Sequence, residues 1–295
     1  MSESTPSSAD AVGSTFFGRN EFLLRRLHSL SGLIPVGAYM CVHLITNATV
    51  LDSPASFQDK VYTIHSLGVL LPLIEWVFIF IPILFHAIFG FVIIKSGSTN
   101  SSTYSTSGNL RYTLQRISGM LAFAFIMWHV FHMHGWIHNE TWVEQADKLG
   151  GAQFDPYNAA SSAGKAIQAS LLVQIFYTIG ILSCVFHLAN GIWSMGITWG
   201  LWISPAAQRR ASWLSLAFGI GLSVVGMSAL VGMRNVDVKA AREKEDQMYE
   251  ARVAAGTLNE ETADHKRTHD DDHADKLQKS AATHTTESAD ADATQ

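Results

Sequence analysis

Four histidines lie inside four different apolar stretches of this 295-residue chain, at positions His43, His86, His129 and His187. A histidine inside a membrane is costly without a partner, so each of them indicates a functional site. One imidazole on each of four helices allows two haem irons, each held by two axial rings. We therefore predict two haem b groups, with these four histidines as the ligands of the haem iron.

Each histidine also has a simpler interpretation as a hydrogen-bond donor between packed helices. The spacing favours iron ligands, because the gaps from His43 to His86 and from His86 to His129 are both 43 residues. The gap to His187 is 58 residues, and the excess matches a longer loop over 139–165. His132 is a rival to His129, since it lies one turn further along the same stretch.

Five apolar stretches must position these residues, and each reaches the ~20 residues that a membrane-spanning helix needs. They run over Ser29–Leu51, Leu67–Ile94, Ile117–Trp136, Leu171–Trp202 and Trp213–Met233. The expected fold class is all-α, a multi-pass bundle of five transmembrane helices in the cell membrane. Three parts follow along the chain: a cytoplasmic N-terminal segment at 1–28, the membrane domain at 29–233, and a polar, acidic C-terminal tail at 234–295 that is helical and then disordered.

The basic residues near the ends of these stretches predict the orientation, because such residues accumulate on the cytoplasmic side. Eight lie on one side of the membrane: Arg19, Arg25, Arg26, Lys95, Arg111, Arg116, Arg209 and Arg210. The other side has Lys60, Lys148 and Lys165. The N-terminus is therefore expected in the cytoplasm and the C-terminus outside. His43 and His129 then fall in the outer half of the membrane, and His86 and His187 fall in the inner half.

Other polar residues leave alternatives open. Glu75, near the outer end of the second stretch, is either a neutral structural acid or a proton carrier beside a quinone. His28 and His65 are interpreted as polar anchors at the membrane interfaces. In the tail, His265, His269 and His273 are spaced by four and could bind a divalent metal on one helix face, but we favour a solvated, disordered segment.

With the histidines placed, the local motifs resemble those of a known family. The stretches RRLHSLSGLIPVG, VHL, PLIEWVFIFIPILFHAIFG, LQRISG, WHV, FHLANGIWS and TWG occur in this order. They are similar to the single-subunit, five-helix dihaem cytochrome b of succinate dehydrogenase and fumarate reductase. The resemblance covers roughly 16–233 and leaves out the tail.

The resemblance implies the same four ligands, with His43 and His129 on the outer haem and His86 and His187 on the inner one. It implies a flavoprotein and an iron–sulfur subunit as partners, and a quinone, expected to be menaquinone, near the outer haem. From its position in the second stretch, we hypothesise that Glu75 relays protons at that quinone site. The chain has two cysteines, Cys41 and Cys184, which cannot hold an iron–sulfur cluster, so succinate oxidation would belong to the partners.

The expected function is therefore the membrane-anchor cytochrome b subunit of a succinate:quinone oxidoreductase, which passes electrons through two haems to the quinone. The alternative is a dihaem b-type cytochrome subunit of another respiratory oxidoreductase. Membrane lipid surrounds the chain in either case, and no nucleic-acid partner is expected.

Overall fold

The computed structural model describes residues 16–97, 106–137, 139–263 and 266–268. Within these residues the chain is helical and contains no strand. Five helical spans in the described part are long and apolar enough to cross a membrane. Spans I to V cover Gly18–Leu51, Leu70–Ser96, Gly108–His134, Leu171–Thr198 and Pro205–Asn235. The predicted all-α class with five transmembrane helices is confirmed, whereas the tail histidines His265, His269 and His273 lie outside the described residues.

The spans are made of seven helices. Span I joins α1 (Phe16–Leu33) to α2 (Val36–Ala48), and span II joins α4 (Leu70–Glu75) through a π-helical segment (Trp76–Phe80) to α5 (Ile81–Ser96). Spans III, IV and V are α6 (Ser107–His134), α9 (Leu171–Thr198) and α10 (Pro205–Asn235). The connections and the C-terminal part hold α3 (Pro54–His65), α7 (Glu140–Lys148), α8 (Ala159–Gln168), α11 (Val238–Ala254) and α12 (Glu260–Ala263).

Local sequence explains where these helices begin and break. Thr106, Ser170 and Ser204 lie at the N-caps of α6, α9 and α10, where each side chain accepts a hydrogen bond from a backbone N–H of the first turn. Span I breaks at Pro35, which has no N–H to donate to the preceding turn. Gly135 ends α6 in the left-handed conformation, with φ of 73°, which costs glycine little.

The helices extend further on one side of the bundle than hydropathy predicts. Span I begins at Gly18 rather than Ser29, and span III begins at Gly108 rather than Ile117. Span V begins at Pro205 rather than Trp213. Polar and basic residues in these first turns lower the local hydropathy but are compatible with a helix, since an arginine near a helix end reaches the interface. His28 therefore lies inside the helix of span I.

Large apolar side chains cover the outside of the bundle. Val69, Leu172, Trp213 and Leu214 are 93, 77, 72 and 72% exposed. A water-soluble protein rarely leaves so much contiguous apolar surface uncovered. The exposed surface is the one that a lipid-facing bundle requires.

Three helices outside the spans pack together at one end of the bundle: α3, α8 and α11, called here the cap. Its interior contains three polar side chains with no solvent exposure, Gln58, Asn158 and Glu245. The Glu245 carboxylate accepts hydrogen bonds from the backbone N–H of Ala160, at 2.6 Å, and from the hydroxyl of Ser161, at 2.5 Å. A side chain of α11 thus caps the first turn of α8, as an acidic group at a helix N-terminus does favourably.

The cap also contains residues from further along the tail. Gln58 on α3 accepts a hydrogen bond from the N–H of Ala159 and donates one to the carbonyl of Pro156. The backbone N–H of Thr268 donates to the side chain of Asn158 at 3.1 Å. Arg267 forms an ion pair with Asp246 at 2.6 Å. Two connections between spans and the C-terminal segment therefore meet on the same side of the bundle, which an odd number of spans requires.

Candidate functional site

Two of the predicted site histidines lie near the cap. His43 is eight residues before the end of span I at Leu51, and His129 is five residues before the end of span III at His134. With a rise of about 1.5 Å per residue, they lie about 12 and 8 Å from the cap end of the bundle. His43 and His129 are called here the cap-side pair.

The other two lie deeper. His86 and His187 each follow the cap-side start of their span, at Leu70 and Leu171, by sixteen residues. This distance is about 24 Å along a helix, so these residues lie beyond the middle of the bundle. His86 and His187 are called here the far-side pair.

The structure brings the rings together in these same two pairs. The ring centres of His43 and His129 are 5.9 Å apart, with an angle of 73° between the ring planes. Those of His86 and His187 are 6.1 Å apart, at 85°. Each pair joins two helices that are not consecutive in the chain, span I with span III and span II with span IV.

These separations fit an iron atom between the rings. An imidazole nitrogen binds a first-row metal at about 2 Å. The nitrogen lies about 1 Å from its ring centre, so two opposed ligands have their centres about 6 Å apart. Both pairs are at this separation, and the residues present therefore fit two bis-histidine haem groups.

Backbone carbonyls orient both rings of the far-side pair. Nδ1 of His86 lies 2.9 Å from the carbonyl oxygen of His28, and Nδ1 of His187 lies 3.1 Å from that of Gln115. A carbonyl only accepts, so Nδ1 of each ring carries the hydrogen and donates it. Nε2 of His86 is then the nitrogen available to a metal, which is the usual second-shell arrangement for a histidine ligand. Nε2 of His187 would have the same role, with the side-chain nitrogen of Gln115 3.4 Å from it.

Two glycines make room for the same rings. A Cβ atom on Gly32 would lie 2.2 Å from Cε1 of His86, and one on Gly119 would lie 2.8 Å from Cε1 of His187. Both distances are too short for any real side chain. The helix backbones of spans I and III therefore approach the far-side pair more closely than any larger residue would allow. Both glycines belong to spans other than the one that carries the histidine they face.

Aromatic side chains surround the cap-side pair instead. Phe125 stacks on His129, with ring centres 5.5 Å apart and an angle of 19°. Tyr39 lies 5.6 Å from His43. The hydroxyl of Tyr177 is 3.1 Å from Nδ1 of His129, so a phenol takes the place that a backbone carbonyl has in the far-side pair.

Comparison with known proteins identifies the family of the chain. No protein-family model matches the chain. It is 33% identical over 219 residues to the succinate dehydrogenase cytochrome b558 subunit of Bacillus subtilis (strain 168), an alignment covering 72% of this chain and 97% of the relative. The chain belongs to the succinate dehydrogenase cytochrome b558 subunit family. It is thus a multi-pass integral protein of the cell membrane and a cytochrome b subunit of a succinate dehydrogenase.

Within this cytochrome subunit, the rival residue His132 lies beside the cap-side pair. It is 6% exposed and stacks on Trp128 at 4.5 Å between ring centres. Its Nδ1 lies 3.0 Å from the hydroxyl of Tyr177. The ring that opposes His43 is that of His129, so the geometry favours His129 as a ligand. His132 contacts the hydroxyl of Tyr177 instead of the ring of His43.

Sequence reasoning missed the position of His28. Its ring stacks on His86 with centres 4.0 Å apart and an angle of 7°, while its carbonyl accepts from the same residue. His28 is thus a neighbour of the far-side pair as well as a residue near a helix end. The signal was available in the sequence, because His28 and Gly32 are four apart and share one face of a helix. His65, by contrast, packs against Tyr157 in the cap.

Glu75 lies on the cap side of span II and is partly buried. It immediately precedes the π-helical segment Trp76–Phe80, and such segments are frequent at functional sites. It is five residues from the cap-side start of span II at Leu70, about 8 Å along the helix, which is a depth similar to that of the cap-side pair. The structure therefore places the predicted acid in the same half of the bundle as the cap-side pair.

Basic residues gather at the opposite end of the cytochrome subunit. The guanidinium of Arg116 donates to the carbonyl oxygens of Ile93 and Ile94, and so binds the last turn of α5. Arg111 stacks on Trp193 at 4.4 Å, and Arg26 lies 5.4 Å from the ring of Trp199. The end of the bundle away from the cap is therefore lined by cations held on aromatic rings.

Proposed function

We propose that this chain is the membrane anchor of a succinate:quinone oxidoreductase and that it holds two haem b groups. His43 and His129 would ligate the cap-side haem, and His86 and His187 the far-side haem. The observation that carries the proposal is the pair of opposed imidazoles, at iron-ligand separation, repeated at two depths in a member of the cytochrome b558 family.

Each bound haem supplies a centre for reversible one-electron reduction. The protein fixes the depth of the two histidine pairs that would hold the haems, which differ by about 14 Å along the helix axes at 1.5 Å per residue. It also keeps water away, since the rings of His43 and His129 lie among apolar and aromatic side chains. The arrangement suits electron movement from one face of the membrane toward the other.

The orientation follows from charge. The end away from the cap carries Arg26, Arg111 and Arg116, and an excess of arginine and lysine favours the cytoplasmic side. The N-terminus would then lie in the cytoplasm and the cap outside. Electrons would enter at the cytoplasmic end from an iron–sulfur subunit, which receives them from a flavoprotein that oxidises succinate.

The quinone, which we propose is menaquinone, would react near the cap-side pair. Glu75 supports this location, because its carboxyl group precedes a π-helical segment and lies at a depth similar to that of the cap-side pair, where a reduced quinone would acquire protons. Glu75 would pass those protons from the outer surface. The chain then takes part in the enzyme as its quinone-reacting subunit, and succinate chemistry belongs to the partner subunits.

A haem count on histidine variants tests the ligand assignment. The complex purified through this chain should contain two low-spin haems b per chain, together with a flavoprotein and an iron–sulfur protein. His86→Ala and His187→Ala should each remove the same haem, and His43→Ala and His129→Ala should each remove the other. The matched control is His65→Ala, which alters a cap histidine and should retain both.

Two results would contradict the proposal. Full haem content in the His129→Ala chain would identify His132 as the ligand. Co-purification with the subunits of a different oxidoreductase would replace succinate as the electron source.

A further inference from the structure

Tyr177 bridges two histidines with a single hydroxyl. Its oxygen lies 3.1 Å from Nδ1 of His129 and 3.0 Å from Nδ1 of His132. Both distances are within hydrogen-bonding range for a phenol and an imidazole. Tyr177 and His132 are 5 and 6% exposed, so water does not compete for these bonds.

The need to bond the buried hydroxyl hydrogen of Tyr177 favours one direction for each bond. A phenol has one hydrogen to donate, and each neutral imidazole has one N–H and one acceptor nitrogen. If His129 binds iron through Nε2, its Nδ1 carries the hydrogen and must donate to the Tyr177 oxygen. The hydroxyl hydrogen of Tyr177 is bonded when it donates to Nδ1 of His132, whose own hydrogen then lies on Nε2. His129 therefore donates a hydrogen bond to Tyr177, and Tyr177 donates one to His132.

Packing holds the phenol in this position. The ring of Tyr177 meets Phe125 edge-on at 5.4 Å and Trp128 at 5.4 Å. Gly180, one turn along α9, leaves space for Phe125, since a Cβ there would lie 2.1 Å from that ring. Tyr177 is thus confined on both sides and directed at the two histidines.

We infer that Tyr177 is a positioning residue that orients His129 and sets the reduction potential of the cap-side haem, with His132 fixing the direction of its hydrogen bond. The inference rests on the proposed function, in which His129 is an iron ligand. A phenol oxygen that donates onward to His132 is a better acceptor, because successive hydrogen bonds polarise one another. It makes His129 more basic, which favours ferric iron and lowers the potential.

Redox titration of Tyr177→Phe tests the inference. The variant should keep two haems, and the reduction equilibrium of the cap-side haem should shift toward the ferrous state by about tenfold, the low end of the change in metal affinity that loss of a second-shell partner causes. For one electron this shift is about 59 mV. The far-side haem should titrate as in the wild type, because backbone carbonyls orient its ligands.

The matched control is Tyr39→Phe, which removes a hydroxyl beside His43 without removing a partner of His129. A cap-side shift as large as that of Tyr177→Phe would show that general polarity, and not the bridge, sets the potential. Unchanged potentials in Tyr177→Phe, with both haems present, would overturn the inference and leave the ligand assignment intact.

A pair of variants at His132 keeps the test decisive if Tyr177→Phe cannot retain the haem. His132→Asn keeps an acceptor near the position of Nδ1 and should titrate close to the wild type. His132→Leu removes the acceptor and should shift the cap-side haem in the same direction as Tyr177→Phe, by less. Equal potentials in the two His132 variants would overturn the inference, whereas loss of a haem in both would show that His132 is itself a ligand.

Discussion

The far-side and cap-side halves of the bundle hold similar histidine pairs by different means. In the far-side half, backbone carbonyls of His28 and Gln115 orient the two rings, and Gly32 and Gly119 let helix backbones come close. In the cap-side half, side chains make the corresponding contacts. Tyr177 bonds His129, aromatic rings pack around the pair, and a folded cap of α3, α8 and α11 lies beyond it.

The difference affects how each half responds to substitution. A backbone carbonyl remains when its side chain changes, so the orientation of the far-side rings is hard to alter except by filling the space that a glycine leaves. A phenol or a carboxyl is lost with one substitution. We therefore expect the far-side pair to respond to added volume and the cap-side half to respond to removed polar groups.

The largest effect is expected from Gly32→Ala. The new Cβ would lie 2.2 Å from Cε1 of His86, so the ring must leave its position and the far-side haem should be lost. The cap-side haem should remain, which a haem count and a redox titration would show as one haem per chain. Gly221→Ala is the matched control, because a Cβ on that helical glycine meets open space. Two haems with unchanged potentials in Gly32→Ala would remove the distinction between the two halves.

Glu75→Gln should have the next largest effect, and only on quinone chemistry. If Glu75 supplies protons to the quinone, its loss should slow succinate-driven quinone reduction by about 100-fold, as for loss of a general acid or base. Electron transfer from succinate to an artificial dye should be unchanged, because that reaction uses the partner subunits. Glu144→Gln, at an exposed acid on the same side of the bundle, is the control. Equal loss of both activities would indicate a structural role for Glu75.

The smallest expected effect is a change in the stability of the cap with pH. Burial raises the pKa of Glu245 to about 7, although hydrogen bonds from Ser161 and Ala160 lower it. The docked cap therefore binds a proton more tightly than an undocked α11 does. The contribution to cap stability is fully present below a pH of about 4.5 and is lost as the pH rises through about 7.

Hydrogen exchange of α8 and α11 measures this dependence. After correction for intrinsic rates, opening of the cap should be about tenfold rarer at pH 6 than at pH 8. Glu245→Gln should remove the dependence, and Glu250→Gln, an exposed acid on the same helix, should preserve it. An unchanged dependence in Glu245→Gln would assign it to another group.

Much of the membrane architecture could be predicted from the sequence, because hydropathy and helix periodicity are local properties. They predicted the five spans and the depths of the four histidines. They placed the starts of spans I and III too late, since Arg19 and Arg111 lower the hydropathy of turns that are nevertheless helical. The tail histidines lie outside the described residues, and the interpretation of that segment as disordered stays a prediction.

Sequence alone also selected the residues that the structure opposes at ligand separation, His43 with His129 and His86 with His187. Their type and spacing, one deep histidine in each of four spans, favoured these residues, although span III also carries the rival His132. Only the tertiary structure decided what contacts Nδ1 of His86, His129 and His187. The bridge from His129 through Tyr177 to His132, the space left by Gly32 for His86, and the capping of α8 by Glu245 depend on how each helix is rotated against its neighbours. That rotation is fixed by packing among residues far apart in the chain, and a local sequence pattern does not determine such packing.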